Sequence, residues 1–308
     1  MVLRSSLHRV RDAKKKNRTA APPRVTCELP AALRGEAILA YDCAEHDLHG
    51  ALAALLASAP CARLGAFGGD PARPRLEDFR LAGAREAWDA LGHQRALTDA
   101  VAADADGFLA AFETLVETVV LPHVKRRLAA ARFGDGRGAR GGDGGDGGDG
   151  GDGPARRRFW VQYPPTVRLQ PGPSDVYVNP HSDAVYGHQA GELNFWMPLT
   201  PYRPRCDAPD ARPPSAGGTS VGRALGAGSR TTLWAESAAG AGDYHPLEVE
   251  PGQIAVFHGS LCRHHVPANP TRCTRASLDF RVGVDGCFDP EWVLRGTKAD
   301  HNRREMWH

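Results

Sequence analysis

The sequence lacks any apolar run long enough to cross a bilayer. The longest, near Ala51 to Ala59, falls well short of the roughly 20 residues a spanning helix needs. No stretch joins a basic start, an apolar core and a small-residue cleavage site, so no secretion leader is expected. No C-x-x-C pair occurs, and the seven cysteines (Cys27, Cys43, Cys61, Cys206, Cys262, Cys273 and Cys287) make an odd count. That excludes a zinc ribbon, argues against a disulfide framework and points to a reducing compartment. Cys262 and Cys273 read as small buried apolar groups. A strong charge of one sign is missing too, since the net charge is +2 over 308 residues. The charge is nevertheless uneven. Residues 1 to 24 hold eight basic side chains (Arg4, Arg9, Arg11, Lys14, Lys15, Lys16, Arg18 and Arg24) against Asp12, which leaves the remainder acidic by five. This excludes a whole-protein nucleic-acid footprint. The basic tail reads as a solvated, disordered terminus. The cytoplasm is the expected location, with an organelle or nuclear address as the alternative reading of those arginines.

What is present has the composition of an ordinary globular chain, 42% apolar. Residues 42 to 59 predict a helix, with Asp42 as cap, Glu45 at capping-box spacing and Leu48, Leu52, Leu55 and Leu56 on one face. A second helix is expected from Asp104–Asp106, with Phe108, Phe112, Leu115 and Val119 inward and Pro122 interrupting it before Arg132. Residues 134 to 157, rich in "GGDGGD", read as a disordered insertion without chemistry, and 203 to 228 as a second one. After Arg158 come eight short β-branched or aromatic segments divided by turn residues: "RFWVQY", "TVRLQ", "VYVN", "GELNFWMPL", "TTLWA", "PLEVE", "QIAVF" and "RASLDFRVGV". The expected organisation is a tail (1–24), a helical N-terminal part (25–133), the insertion (134–157), a jelly-roll core (158–295) and a C-terminal tail (296–308).

The chemistry concentrates in "NPHSDAVYGHQAGELNFWMPL". In extended backbone, residues two apart share a face, so His181 and Asp183 address one object. An imidazole and a carboxylate leave a metal incompletely held. "FHGSLCRHHVPANPT" offers His258, His264 and His265 as the third ligand. Two histidines and one carboxylate on one side of an ion form the facial triad of non-haem Fe(II) oxygenases. In "RASLDFRV", Arg275, Ser277, Asp279 and Arg281 share one face of a strand. Arg275 is placed to clamp a carboxylate, with the Ser277 hydroxyl as a further donor, on the strand expected to neighbour that of His264. Arg281 is expected to pair with an acid such as Asp279 or Glu192. Glu192 and Asn194 share a face and suit either a substrate contact or a cross-strand structural role. His188 is read as a turn or supporting residue, His245 and His258 as structural, and Trp196 and Trp234 as core or cavity wall.

Taken together, "HSDAVYGHQAGELNFWMPLT", "TTLWAESAAGAGDYHPLEV", "PGQIAVFHGSLCRHHVPANPT" and "TRASLDFRV" resemble the Fe(II)/2-oxoglutarate-dependent oxygenases, in particular the phytanoyl-CoA-hydroxylase-like and streptomycin-biosynthesis-type branch. The resemblance implies an α+β fold with a double-stranded β-helix (jelly roll, cupin-like) core flanked by N-terminal helices. It implies His181 and Asp183 as the H-x-D pair and His264 as the distal histidine, with His265 as runner-up. Arg275 and Ser277 match the R-x-S pair that binds the far carboxylate of 2-oxoglutarate. The cofactors implied are Fe(II) and 2-oxoglutarate, and the partners are molecular oxygen and a small-molecule substrate. The reaction implied couples oxidative decarboxylation of the keto acid to hydroxylation or desaturation. Asp183 disfavours halogenation, because related halogenases lack this carboxylate. The rival readings are a cupin-type metal enzyme without a keto acid and a non-catalytic ligand-binding jelly roll.

Overall fold

The computed structural model describes residues 28–70, 72–83, 92–134, 157–174, 177–201, 232–292, 294 and 302–308. The basic tail, the Gly/Asp insertion apart from its end residues, and the 203–228 insertion lie outside the described residues.

The helices are α1 (Ala31–Arg34), α2 (Leu48–Ala57), α3 (His93–Ala103), α4 (Phe108–Leu115) and α5 (Leu121–Gly134). The strands are β1 (Ala37–Ala40), β2 (Gly65–Phe67), β3 (Phe79–Leu81), β4 (Arg158–Gln162), β5 (Thr166–Gln170), β6 (Val178–His181), β7 (Glu192–Pro198), β8 (Trp234–Ala235), β9 (His245–Pro246), β10 (Gln253–Phe257), β11 (His264–Val266), β12 (Arg275–Val284) and β13 (Arg303–Trp307). This is a mixed helix and sheet architecture. One antiparallel sheet of seven strands runs β1-β10-β7-β12-β4-β13, with β5 also paired to β12, and a second of four runs β6-β11-β8-β9. A separate hairpin joins β2 and β3.

Alternation along β12 explains why the sheets and helices assemble as they do. Ala276, Leu278, Phe280 and Val282 face one core together with Phe108, Phe112 and Leu115 of α4 and with Leu48, Leu52 and Leu56 of α2. Phe280 stacks on Phe195 (centroids 5.1 Å apart, rings at 10°) and meets Phe112 edge-on at 5.0 Å. The opposite row of β12, Arg275, Ser277, Asp279 and Arg281, turns to the other side of the sheet. A smaller core, made of Trp196, Leu233, Ala235, Leu247, Val249, Ala255, Phe257 and Val266, joins the two sheets. Helices therefore cover one face of the large sheet, and its other face is left for the site.

Several local expectations are corrected. The first long helix begins at Leu48, because Asp47, whose Oδ1 accepts the Gly50 N–H (2.7 Å), is the cap. Asp42 instead bonds the N–H of Ala44 two residues on, closing a turn. The break associated with Pro122 falls one turn earlier, as a π-helical turn over Val116–Val120. That widening precedes the position where proline cannot donate a helical hydrogen bond. "PLEVE" contributes strand only at its first residue. The stretch from 296, expected as a tail, carries β13, which pairs with β4 along Arg303–Trp307. Helix α3 and strands β1 and β11 carry no sequence signal used above. Cys273 is disulfide-bonded, not a free buried thiol, whereas Cys43, Cys61, Cys262 and Cys287 are free. Among the described residues no single helix is long and apolar enough to cross a membrane.

Phe280 is fully buried between Phe195 and Phe112. Truncation to alanine should therefore cost about 3–5 kcal/mol. Urea unfolding followed by far-UV circular dichroism checks this; a loss below about 1 kcal/mol would show that the helix layer is not packed on this ring.

Candidate metal centre

Strand β6 ends at His181, and Ser182 keeps one more residue extended (φ −100°, ψ 147°) before a short 3-10 turn opens at Asp183. The same-face placement of residues 181 and 183 thus survives although Asp183 lies outside the strand. Gly187, at φ 93°, closes that turn in a conformation that favours glycine. Strand β11 pairs antiparallel with β6, so that His264 lies directly opposite His181. On the far side of β11, His265 stacks on Trp234 and meets Tyr244 edge-on. His264 is therefore the histidine of the pair that enters the site, and the runner-up is set aside.

Among the described residues, one group of His, Cys, Asp and Glu brings three ligand atoms within 4.8 Å of one another: His181, Asp183 and His264. The Nε2 atoms of His181 and His264 lie 3.7 and 3.4 Å from Asp183 Oδ1. Each ring is turned by a bond on its other side. His181 Nδ1 donates to the Asn179 carbonyl (2.7 Å) and His264 Nδ1 to that of Cys262 (3.2 Å). A carbonyl only accepts, so Nδ1 carries a proton in each ring, which leaves Nε2 as the atom that can present a lone pair to a metal. Burial and the neighbouring His264 push the His181 pKa down to about 4, so that ring is neutral at pH 7. Burial opposes the charge on Asp183, but the Arg281 guanidinium outweighs it and holds the carboxyl well below the usual carboxylate range. Two imidazole lone pairs and a carboxylate oxygen thus converge on one point. That arrangement is repulsive unless a cation occupies it, and its donors suit a borderline divalent metal. The side chain of His181 is 19% exposed against 2% for Asp183 and 7% for His264. Access is therefore from the His181 side, where Tyr186 stands edge-on at 5.2 Å.

Behind the three ligands lies a chain of alternating charges. Asp183 Oδ2 accepts from Arg281 Nε (3.0 Å) and Nη2 (2.8 Å) and from Asn194 Nδ2 (2.6 Å). Arg281 Nη1 donates to Gln162 Oε1 (3.0 Å) and Asp279 Oδ2 (3.2 Å). Arg168 grips Asp279 through Nε (2.6 Å) and Nη2 (3.1 Å). Arg281 does pair with Asp279, but its principal partner is Asp183. Glu192 bonds instead to Arg303 of β13, and also to the Gln189 N–H (2.8 Å) and His188 Nδ1 (3.3 Å). His258 donates to the Ala190 carbonyl (2.9 Å) and His245 pairs with Glu36 (2.9 Å), both outside the cluster. Trp196 is in the inter-sheet core. Asn194, Gln162, Arg168 and Arg303 gain their roles only here. The one available signal was a polar or charged residue recurring at alternate positions of otherwise apolar strands.

Arg275 and Ser277 are buried (5% and 1% exposed) in the same row of β12 as Arg281. That strand pairs with β7, β5 and β4, not with β11. Arg275 therefore sits in the sheet opposite His264, because the chain crosses between sheets over residues 267–274. Asn269 secures that crossing by donating to the Gln170 and Cys273 carbonyls.

No family model matches the chain. A curated relative, streptomycin biosynthesis protein StrG of Streptomyces griseus, is 28% identical over 131 residues, which is 42% of this chain and 50% of that protein. The chain's match thus spans about half the length of that relative. Similar solved structures include a non-haem monooxygenase, the ThoJ–nickel complex (TM-score 0.33, 14% identity, covering 89% of this chain and 85% of that one). Another is the epimerase SnoN in complex with Fe3+, alpha-ketoglutarate and nogalamycin RO (TM-score 0.34, 14% identity, covering 88% and 89%).

Glu192 is buried, and the Arg303 charge with the His188 bond overcomes burial and holds its pKa at about 2, below its ordinary 4.5. The depressed value means that the stabilisation is full above about pH 4.5 and is lost as pH falls toward 2. Glu192→Gln should lower stability near neutrality by up to about 3 kcal/mol and flatten the pH dependence between those limits. Urea midpoints from pH 2 to 7 check this; parallel wild-type and variant profiles would refute it. The streptomycin-biosynthesis relative matches by name the branch that the motifs resemble, and the class expected from those motifs, the iron- and 2-oxoglutarate-dependent oxygenases, fits the site formed by His181, Asp183 and His264.

Proposed function

We propose that the chain is a non-haem iron enzyme that uses 2-oxoglutarate and molecular oxygen to hydroxylate an unactivated carbon of a small molecule. The observation that carries this reading is the convergence of His181 Nε2, His264 Nε2 and Asp183 Oδ1, each turned inward by a hydrogen bond on its far side. The two antiparallel sheets that enclose the site agree with a double-stranded β-helix. His181, Asp183 and His264 would hold a ferrous ion, which together with the keto acid would supply the oxygen activation.

The protein's own groups do the rest. The two imidazole Nε2 atoms and the single negative charge of Asp183 provide three donors on one side, leaving the opposite side for small ligands. Arg275 is the group suited to the distal carboxylate of the keto acid. Burial and the nearby Arg168 both press against its charge and push its pKa down to about 9. A guanidinium binds a carboxylate through two parallel hydrogen bonds, which suits this side chain to that role. The Ser277 hydroxyl, buried and without a hydrogen-bond partner among the described residues, supplies one more donor in the same row. Asp183 and His264 are buried, so solvent and small molecules reach the cluster from the His181 side.

Purified protein reconstituted with Fe(II) should release succinate from 2-oxoglutarate under air, with Asp183→Ala as the blank. Without oxygen, Fe(II) and keto acid together should give a visible charge-transfer band. Metal binding without succinate or band would favour a cupin-type enzyme that needs no keto acid, and absence of both metal binding and band a plain binding module. Arg275→Ala should raise the KM for 2-oxoglutarate about 10- to 100-fold, the cost of losing charge-assisted hydrogen bonds. Metal affinity should stay within about 2-fold, since the side chain is not among the three ligands. Equal losses in both would make Arg275 a structural residue.

A further inference from the structure

Asp183 does not offer its two oxygens equally. Oδ2 accepts three N–H groups, one from Asn194 and two from Arg281, at 2.6 to 3.0 Å. Three donors saturate one carboxylate oxygen. Oδ1 is the oxygen that faces both histidines. The two clamping residues stand on one rung of the large sheet, Arg281 of β12 opposite Asn194 of β7. Arg281 cannot easily swing away, because Gln162 and Asp279 hold its other nitrogen and Arg168 holds Asp279. Asn194 reaches Asp183 only because residue 259 is glycine. A Cβ there would lie 2.6 Å from Asn194 Nδ2, and the Gly259 carbonyl already accepts the Asp183 N–H at 2.9 Å.

The geometry points to Arg281 and Asn194 as positioning residues that confine Asp183 to one-oxygen ligation of a divalent metal. This rests on the reading of His181, Asp183 and His264 as the metal ligands. Its chemical consequence is a count of positions. An octahedral ion held by three protein atoms has three positions left, the number that a two-point keto acid and one small molecule need. A carboxylate using both oxygens would take one of them. The clamp keeps that position open, and it does so before any metal arrives, since all of its bonds are made within the protein.

The test uses the full chain and Co(II), whose visible d–d bands report coordination number without turnover. Wild type, Arg281→Lys and Asn194→Ala are each titrated with Co(II), then with 2-oxoglutarate, and their folding is followed by thermal melts. Lysine keeps the positive charge but cannot donate two bonds to one oxygen. Both variants should bind Co(II) about 10- to 100-fold more weakly, the usual cost of removing a group that orients a metal ligand. They should also show altered d–d bands and a smaller response to the keto acid. If Arg281→Lys does not fold, Asn194→Ala decides alone. Unchanged affinity and spectra, with or without a lower melting temperature, overturn the positioning role. A wild type that binds no Co(II) overturns the metal reading itself, a result distinct from variants that match a metal-binding parent.

Discussion

The antiparallel register between β6 and β11 is the constraint on which the site depends. It sets His264 opposite His181 and leaves His265 on the other face against Trp234 and Tyr244. Side chains alternate with a period of two along a strand, so a slip by one residue would exchange the two histidines and dismantle the cluster. The doubled histidine in "RHHV" makes this a real alternative in composition; in structure, packing excludes it. Val266 belongs to the inter-sheet core, and inverting the strand would send it to solvent.

The second requirement is electrostatic. Two guanidiniums and two carboxylates alternate from Arg168 through Asp279 and Arg281 to Asp183. Buried charge is expensive unless paired and hydrogen-bonded, and removing one member of such a pair typically costs about 3–5 kcal/mol. Arg168, at the outer end, is exposed, but the buried Asp279, Arg281 and Asp183 each face an opposite charge, so Asp183 stays ionised in a nearly dry environment. A separate pair, Glu192 and Arg303, ties the last strand to the strand carrying Asn194. The large sheet thereby serves two environments: its helix-facing side is an apolar core, and its inward side is a row of charges committed to the site.

The motifs were legible in the sequence because they are local. The two-residue spacing of His181 and Asp183, the alternation in "RASLDFRV" and the turn-bounded strand segments follow from backbone geometry alone. His188, His245 and His258, read as supporting or structural, stand outside the group formed by His181, Asp183 and His264, and Trp196, read as core or cavity wall, is in the inter-sheet core. The helix start was misread because Asp42 and Asp47 both precede the apolar repeat, and only hydrogen-bond geometry tells a turn from a cap. Strand β13 was missed because "RREMW" reads as polar, having β4 on only one side.

Residue types and short spacings thus determined by themselves which side chains are available for metal chemistry and on which face of each strand they stand. Tertiary structure decided which of three histidines completes the cluster, that Arg275 lies in the opposite sheet from His264, and that Arg281 and Asn194 hydrogen-bond Asp183. The reason is that strand pairing joins residues far apart in the chain, Ala37 with Val256 for example, and no local pattern specifies the partner. Asp183 and Arg281 are 98 residues apart in the chain, yet 2.8 Å apart in the fold.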